Sequence, residues 1–138
     1  MSERADRARL VRQWVERAEE DHLTAGHTLK LRSRCPFTTV CFHAQQCVEK
    51  YVKAVLTLRR VSFPKTHDLA ELLLFLPKDL ALPLDAATAE KLTAFATLTR
   101  YPGEWEPPDR EDAKHAVAVA SEVRRIARRH LPREVLSA

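Results

Sequence analysis

The chain has 138 residues, of which 45% are hydrophobic and 30% charged, and its formal net charge is +4. These values predict one soluble domain over residues 1–138, with a core that needs no disulfide or metal to hold it together. Only two glycines occur, which excludes a glycine-rich phosphate loop and disfavours β-hairpins. No signal peptide and no apolar run of roughly 18 residues is present, so we expect a cytoplasmic protein without membrane contact.

Eight prolines divide the chain into segments with helical periodicity, and none of these segments alternates like a strand. The apolar spacing therefore predicts an all-α, up-and-down bundle of four to five helices. Thr66, Asp85 and Asp109 precede three of the predicted helices and are suitable N-caps. The predicted helices span about 3–32, 37–60, 69–76, 85–100 and 110–131.

The first predicted helix carries an apolar stripe that should face the core, formed by Leu10, Val11, Trp14, Ala18, Ala25 and Leu29. Asp21 and His22 interrupt this stripe. Because a carboxylate on an apolar face needs a partner, we expect Asp21 to form a bidentate ion pair with Arg100, close to the inward face of the fourth helix. This pair would have a structural role.

The second predicted helix contains the segment FHAQQCVEKYVKAVL, residues 42–56. One side of this helix is apolar, and the opposite side is expected to hold Gln45, Gln46, Glu49, Lys50, Lys53 and Thr57. Phe42 lies in the middle of that polar side. The polar side is either a solvated surface or an interface, and in the second case Phe42 is its apolar anchor.

Three cysteines, Cys35, Cys41 and Cys47, are spaced by six residues each. This spacing fits neither a C-x-x-C motif nor an even set of disulfides. We therefore expect reduced thiols that pack as small hydrophobic residues, and no metal site.

Arginine supplies most of the positive charge, while Asn is absent and Met occurs only at position 1. Such a composition is typical of proteins from thermophiles. The segment RRIARRHLPR, residues 124–133, has five arginines and no acid. It is either an electrostatic footprint for RNA or a set of cations that complements a helix C-terminus.

Several motifs follow one another in a familiar order. They are Trp14, Ala18 and Asp21 in the first helix, then FHAQQCVEKYVKAVL at 42–56, FPKTHDL at 63–69 and TRYPG at 99–103. Together they resemble the HEPN family, and the match covers nearly the whole chain. The resemblance implies a bundle of four to five helices, similar to the substrate-binding subunit of nucleotidyltransferases, that forms a homodimer and needs no cofactor.

The resemblance also implies partners. Many members act beside a minimal nucleotidyltransferase as one half of a toxin–antitoxin pair, and others bind nucleotides or proteins. The toxic members are metal-independent endoribonucleases with an R-x(4–6)-H motif near the start of the last long helix. Arg110 and His115 match that motif as R-x4-H.

The chemistry of Arg110 and His115 suits RNA cleavage, because an imidazole can relay a proton and a guanidinium can stabilise a developing negative charge. Five residues of helix, however, separate the two side chains by roughly 140° around the axis. They converge only if Arg110 acts as a cap or if a second copy contributes. Position 117 is Val, where the toxin motif often has a Tyr. The alternative is that Arg110 is a solvated first-turn residue and His115 borders the core.

A second candidate site follows the polar side of the second helix and the loops near it. Its predicted nucleotide- or partner-binding residues are Phe42, His43, Gln46, Lys50, Lys53, His67, Arg100 and Tyr101. Cations and imidazoles suit a phosphate, and Tyr101 and Trp105 could stack on a base. The alternative is that these polar residues hydrogen-bond between helices.

Three hypotheses therefore stand. The first is a dimeric protein that binds a nucleotide, a nucleotidyltransferase, or both. The second is an endoribonuclease that uses Arg110 and His115, so that enzymatic activity stays open. The third is a structural dimeric bundle without a ligand.

Overall fold

Six helices form the regular structure of residues 2–98 and 106–136, which this computed structural model describes. They are α1 (Glu3–Leu29), α2 (Phe37–Leu58), α3 (Leu69–Leu73), α4 (Ala86–Leu98), α5 (Arg110–Arg129) and α6 (Arg133–Leu136). No strand occurs in these two ranges, which confirms the all-α prediction. The predicted helix ends are correct to within three residues, and α6 was not predicted.

The N-caps explain where the helices begin. Asp85 and Asp109 accept hydrogen bonds from backbone N–H groups in the first turns of α4 and α5, as predicted. The prediction of Thr66 as the cap of α3 is wrong. Asp68 accepts from the backbone N–H of Glu71, 3.3 Å away, and caps α3. Thr66 lies two residues earlier, and its hydroxyl accepts from the backbone N–H of Asp68 instead.

Helix α2 is the centre of the bundle, with α1, α3, α4 and α5 packed around it. Every residue from Tyr51 to Leu56 is buried. The prediction of a polar side opposite the core is therefore wrong for Gln45, Glu49 and Lys53, which are buried. The reason is that the segment 61–68, which leads into α3, folds back over this side of α2 and hydrogen-bonds to it.

The predicted apolar stripe of α1 is largely correct, since Val11, Ala18 and Ala25 are buried. Leu10 is the exception, because 46% of its surface is exposed. A step of about 100° around the helix separates Leu10 from Val11, which turns Leu10 toward the edge of the core. Leu10 is thus available to line a cavity.

The cysteines are free thiols, and Cys41 and Cys47 are buried in the core as predicted, while Cys35 is partly exposed. Burial raises the pKa of the Cys41 thiol to about 12 and raises that of Cys47 as well, so both are protonated and unreactive near neutral pH. In the described ranges, none of the helices is both long and apolar enough to span a bilayer.

Candidate functional site

A cavity of about 760 Å³ opens between α1, the C-terminal end of α2 and the loop that follows α2. Its walls combine apolar and basic surface, and none of the described residues that line it is acidic. The apolar wall consists of Leu10, Trp14, Val61 and Phe63, and the basic groups are Lys53, Arg60, Lys65 and His67. Such a lining suits a ligand that has both an apolar ring and a negative charge.

The charge of Lys53 is balanced inside the protein. Its ammonium lies 2.9 Å from a carboxylate oxygen of Glu49 and 5.5 Å from the centre of the Trp14 ring. Glu49 is only 2% exposed, so this ion pair forms beneath the cavity rather than in it. The Lys53 ammonium therefore contributes little net charge to a ligand in the cavity.

Glu49 also fixes the loop that forms the far wall. The Gln45 side chain donates to the Glu49 carboxylate at 3.1 Å, and the Nδ1 atom of His67 lies 3.0 Å from the same carboxylate. The Gln45 amide also donates to the backbone carbonyl of His67 at 3.2 Å, and Gln46 donates to the Gln45 carbonyl at 2.7 Å. This network, in which Gln45 and Glu49 are buried and His67 is exposed, holds the segment that carries Phe63, Lys65 and His67 against α2.

Arg60 and Lys65 differ from Lys53, because no ion pair or side-chain hydrogen bond involves either of them within residues 2–98 and 106–136. Both are exposed at the mouth of the cavity. Trp14 has an unmatched group as well, since its buried indole N–H has no acceptor among the described residues. Buried polar groups usually have a hydrogen-bond partner, so this region has hydrogen-bonding capacity that the described residues do not use.

Other residues of the second predicted site lie nearer the N-terminal end of α2, against α1. Asp21 is 7% exposed and accepts from the Lys50 ammonium at 2.5 Å, and its other oxygen lies 2.8 Å from the Nδ1 atom of His43. His43 and Lys50 thus both join α2 to α1 through Asp21, the kind of interhelical contact that the alternative predicts. Arg100, the predicted partner of Asp21, lies outside the described residues, as do Tyr101 and Trp105.

A second ion cluster, which the sequence reasoning missed, joins α1, α2 and α5. Arg124 donates two hydrogen bonds of 2.7 Å to the Glu19 carboxylate, and the Tyr51 hydroxyl donates to the same carboxylate at 2.5 Å. Arg128 donates to the Tyr51 hydroxyl at 3.2 Å. Burial raises the pKa of Glu19, but the hydrogen bonds from Arg124 and Tyr51 outweigh burial and hold that pKa below its usual value. Glu19 is therefore ionised and structural.

Phe42 is partly buried rather than fully exposed, and its ring meets the His43 ring edge-on with 5.4 Å between centroids. Among those predicted nucleotide- or partner-binding residues that the structure describes, Lys53 and His67 line the cavity. Four others lie nearer the N-terminal end of α2 and do not line the cavity, namely Phe42, His43, Gln46 and Lys50. Sequence reasoning missed Trp14, Arg60, Phe63 and Lys65 as cavity residues. The signal for two of them was present, because Phe63 and Lys65 belong to the FPKTHDL motif.

Arg110 and His115 occupy different surroundings. The Arg110 guanidinium donates to the carbonyls of Leu29 and Leu31, at 3.4 and 3.2 Å, and lies 4.9 Å from the centre of the Phe37 ring. It thus ties the start of α5 to the link between α1 and α2. In the described part of the chain no hydrogen bond joins it to His115.

His115 is exposed and faces the start of α4. A backbone hydrogen bond from Thr88 holds the pKa of Asp85 below its usual value, and the nearby His115 adds to this effect. The sequence alternative that His115 borders the core is therefore wrong. Both residues lie in α5, where a five-residue separation places them roughly 140° apart around the axis.

Comparisons with known proteins agree with this architecture. A comparison with curated proteins gave no significant match. Among solved structures, the crystal structure of TT1696 from Thermus thermophilus is similar, with a TM-score of 0.72 and 28% sequence identity over 88% of this chain and 98% of that chain. The model of the HEPN domain matches residues 11–130, which include all the cavity residues except Leu10. This chain therefore belongs to the HEPN domain family, for which a nucleotide- or RNA-related function is supported at the family level.

Proposed function

We propose that this protein binds a nucleotide in the cavity between α1, α2 and the loop 60–67. The observation that carries the proposal is the lining of the cavity, in which two cations without a partner among the described residues lie beside aromatic surface. A nucleotide has the matching parts, since its base is planar and apolar on its faces and its phosphates are anionic. Base–aromatic contacts and charge-assisted phosphate contacts are the usual means of recognising these parts.

The size of the cavity supports the same ligand class. Small-molecule sites usually have volumes of about 300–1,000 Å³ and combine apolar walls with a few polar groups. The cavity of about 760 Å³ lies within this range. The hydrogen-bond network of Gln45, Glu49 and His67 preorganises its wall, which reduces the entropy lost when a ligand binds.

The test is calorimetric titration of the purified protein with ATP, GTP, CTP and UTP. We expect at least one of them to bind, and Lys65→Glu to weaken that binding roughly tenfold or more, because a charge-assisted contact is lost and a repulsive charge is added. Lys78→Glu makes the same change of charge at an exposed position outside the cavity, and we expect it to have little effect. No binding at millimolar nucleotide, or equal losses in both variants, would contradict the proposal.

The family resemblance extends the proposal to protein partners. These are a second copy of the chain and a minimal nucleotidyltransferase, with which the chain would form a toxin–antitoxin pair. Phe42 is the residue that we expect at such a contact, since a partly exposed aromatic ring beside polar groups is a typical anchor. Light scattering tests the homodimer directly, and a monomeric mass at high protein concentration would reject it.

Metal-independent RNA cleavage by Arg110 and His115 has less support. The Arg110 guanidinium is engaged by two backbone carbonyls and the Phe37 ring, so little of it remains to meet a phosphate. Incubation of the protein with RNA in EDTA tests this alternative. Cleavage that is lost in folded Arg110→Ala and His115→Ala variants would favour the ribonuclease over the nucleotide-binding protein.

A further inference from the structure

Arg60 has an unusual backbone conformation. Its φ angle is 60°, in the left-handed region, which few residues other than glycine adopt without strain. It directly follows Arg59, the C-cap of α2. The backbone N–H of Val61 bonds to the carbonyl of Leu56 at 3.0 Å, and that of Arg60 bonds to the carbonyl of Thr57 at 3.2 Å. This pair of bonds is a Schellman motif, in which glycine is the usual residue at the position of Arg60.

An arginine at this position therefore lowers the stability of the fold relative to a glycine. The left-handed conformation alone does not mark a site, because Arg34 has a φ of 54° in the link between α1 and α2. What distinguishes Arg60 is its location. It lines the cavity at the mouth, beside Lys65, and neither cation is paired within the described chain.

We propose that Arg60 and Lys65 bind the phosphate end of the ligand, and that the strained position of Arg60 is retained for this purpose. This inference rests on the proposed nucleotide-binding function. Lys53 does not serve the phosphates, because Glu49 already neutralises its charge beneath the cavity. The apolar part of the ligand then lies against Leu10 and Phe63, on the inner wall.

The charge arrangement makes the ligand a phosphorylated nucleoside rather than a nucleoside. Two unpaired cations at the mouth attract a multiply charged group, and the planar guanidinium of Arg60 can donate two parallel hydrogen bonds to one phosphate. Affinity should therefore increase from adenosine to AMP to ATP. Inorganic tripolyphosphate should bind more weakly than ATP, because it makes no contact with the apolar wall.

The test compares Arg60→Gly with Arg34→Gly, measured by calorimetric titration and thermal melting. Both substitutions remove one positive charge and one left-handed arginine, but only position 60 lines the cavity. We expect both variants to melt a few degrees higher than the wild type. We expect only Arg60→Gly to lose affinity for ATP, by roughly tenfold or more, while its weak affinity for adenosine stays unchanged.

The outcomes separate the two proposals. If the wild type binds no ligand of the series, the nucleotide-binding function fails and the assignment of Arg60 fails with it. If the wild type binds ATP and Arg60→Gly binds ATP equally well, the nucleotide-binding function stands and the assignment of Arg60 is wrong. If tripolyphosphate binds as tightly as ATP, the mouth is a site for free polyphosphate, and the inferred contact with a base is wrong.

Discussion

Two regions around α2 differ in whether their charged side chains have partners within the protein. On the flank toward α1 and α5, which we term the paired flank, Glu19 and Asp21 each meet basic or hydroxyl partners at hydrogen-bond distance. Around the cavity at the C-terminal end of α2, which we term the cavity flank, Arg60 and Lys65 have no side-chain partner in the described chain, and the buried N–H of Trp14 has no acceptor there.

The paired flank has the arrangement expected of a surface that stabilises the fold, and the surface around the cavity does not. Stability favours paired charges, satisfied donors and glycine at a left-handed helix end, and the paired flank follows the first two rules. The residues around the cavity break all three rules. Arg60 has a left-handed backbone, Arg60 and Lys65 have no ionic partner in the described chain, and the Trp14 N–H has no acceptor there. Departures of this kind cluster at functional sites, where a ligand supplies the missing partners.

The largest expected effect comes from the buried ion pair of Glu49 and Lys53, at the base of the cavity. Glu49→Ala removes the acceptor of Lys53, Gln45 and His67. It leaves the Lys53 charge buried and unpaired, so we expect the free energy of unfolding to fall by about 3–5 kcal/mol. Denaturant unfolding followed by helical circular dichroism measures this change.

The matched control for Glu49→Ala is Asp79→Ala, which breaks the exposed ion pair of Asp79 with Arg59. We expect this control to cost less than about 1 kcal/mol, because solvent screens exposed pairs. Equal losses in the two variants would mean that the Glu49 pair is not protected from solvent, and that the wall of the cavity is not preorganised.

A smaller effect, with a characteristic dependence on pH, is expected on the paired flank. Glu19→Gln should lower the free energy of unfolding by about 1–2 kcal/mol at neutral pH, at the low end for bonds to charged groups because Glu19 is 34% exposed. Its pKa in the folded protein is lowered, despite burial, by bonds from Arg124 and Tyr51. The stabilisation by Glu19 is therefore complete above its ordinary pKa of about 4.3 and is lost as the pH falls through the lower folded value.

Chemical denaturation of the wild type and Glu19→Gln between neutral and strongly acidic pH checks this prediction. The difference in unfolding free energy between the two proteins should shrink as the solution becomes acidic. A difference that is constant over the whole range would show that the charge of Glu19 does not stabilise the fold, and the paired flank would lose its distinction from the cavity flank.

The sequence predicted the helices well, because periodicity and caps are local properties. Asp85 and Asp109 begin their helices as predicted, and proline placement fixed the links. The same local reasoning failed for Gln45, Glu49 and Lys53. A helical wheel assumes one buried face, whereas α2 is surrounded on nearly all sides once the segment 61–68 folds back over it.

The candidate site was only partly predictable, for a related reason. Lys53 and His67 were identified because they belong to motifs that resemble a family. Arg60 was missed, since nothing local indicates that an arginine will occupy the left-handed position of a Schellman motif. The partner of Asp21 was also not predictable, because Lys50 is 29 residues away and the pair forms only through the packing of α1 on α2.

The smallest expected effect comes from a substitution to Phe that can be made on each flank, so the two flanks can be compared directly. Tyr51→Phe removes the hydroxyl of a ring on α2, and Trp14→Phe replaces an indole on α1 with a smaller aromatic ring that lacks the N–H. The Tyr51 hydroxyl donates to Glu19 and accepts from Arg128, so we expect its loss to cost about 1–2 kcal/mol. The Trp14 N–H has no acceptor in the described chain, so its removal offsets the loss of apolar area.

We therefore expect Trp14→Phe to change the free energy of unfolding by less than about 1 kcal/mol, since Phe also retains an aromatic face for the Lys53 ammonium. Parallel denaturant titrations of both variants measure the contrast. A loss of more than about 2 kcal/mol in Trp14→Phe would mean that the indole N–H is satisfied in solution. The case for a binding site would then rest on the left-handed conformation of Arg60 and on the two cations that have no partner in the described chain.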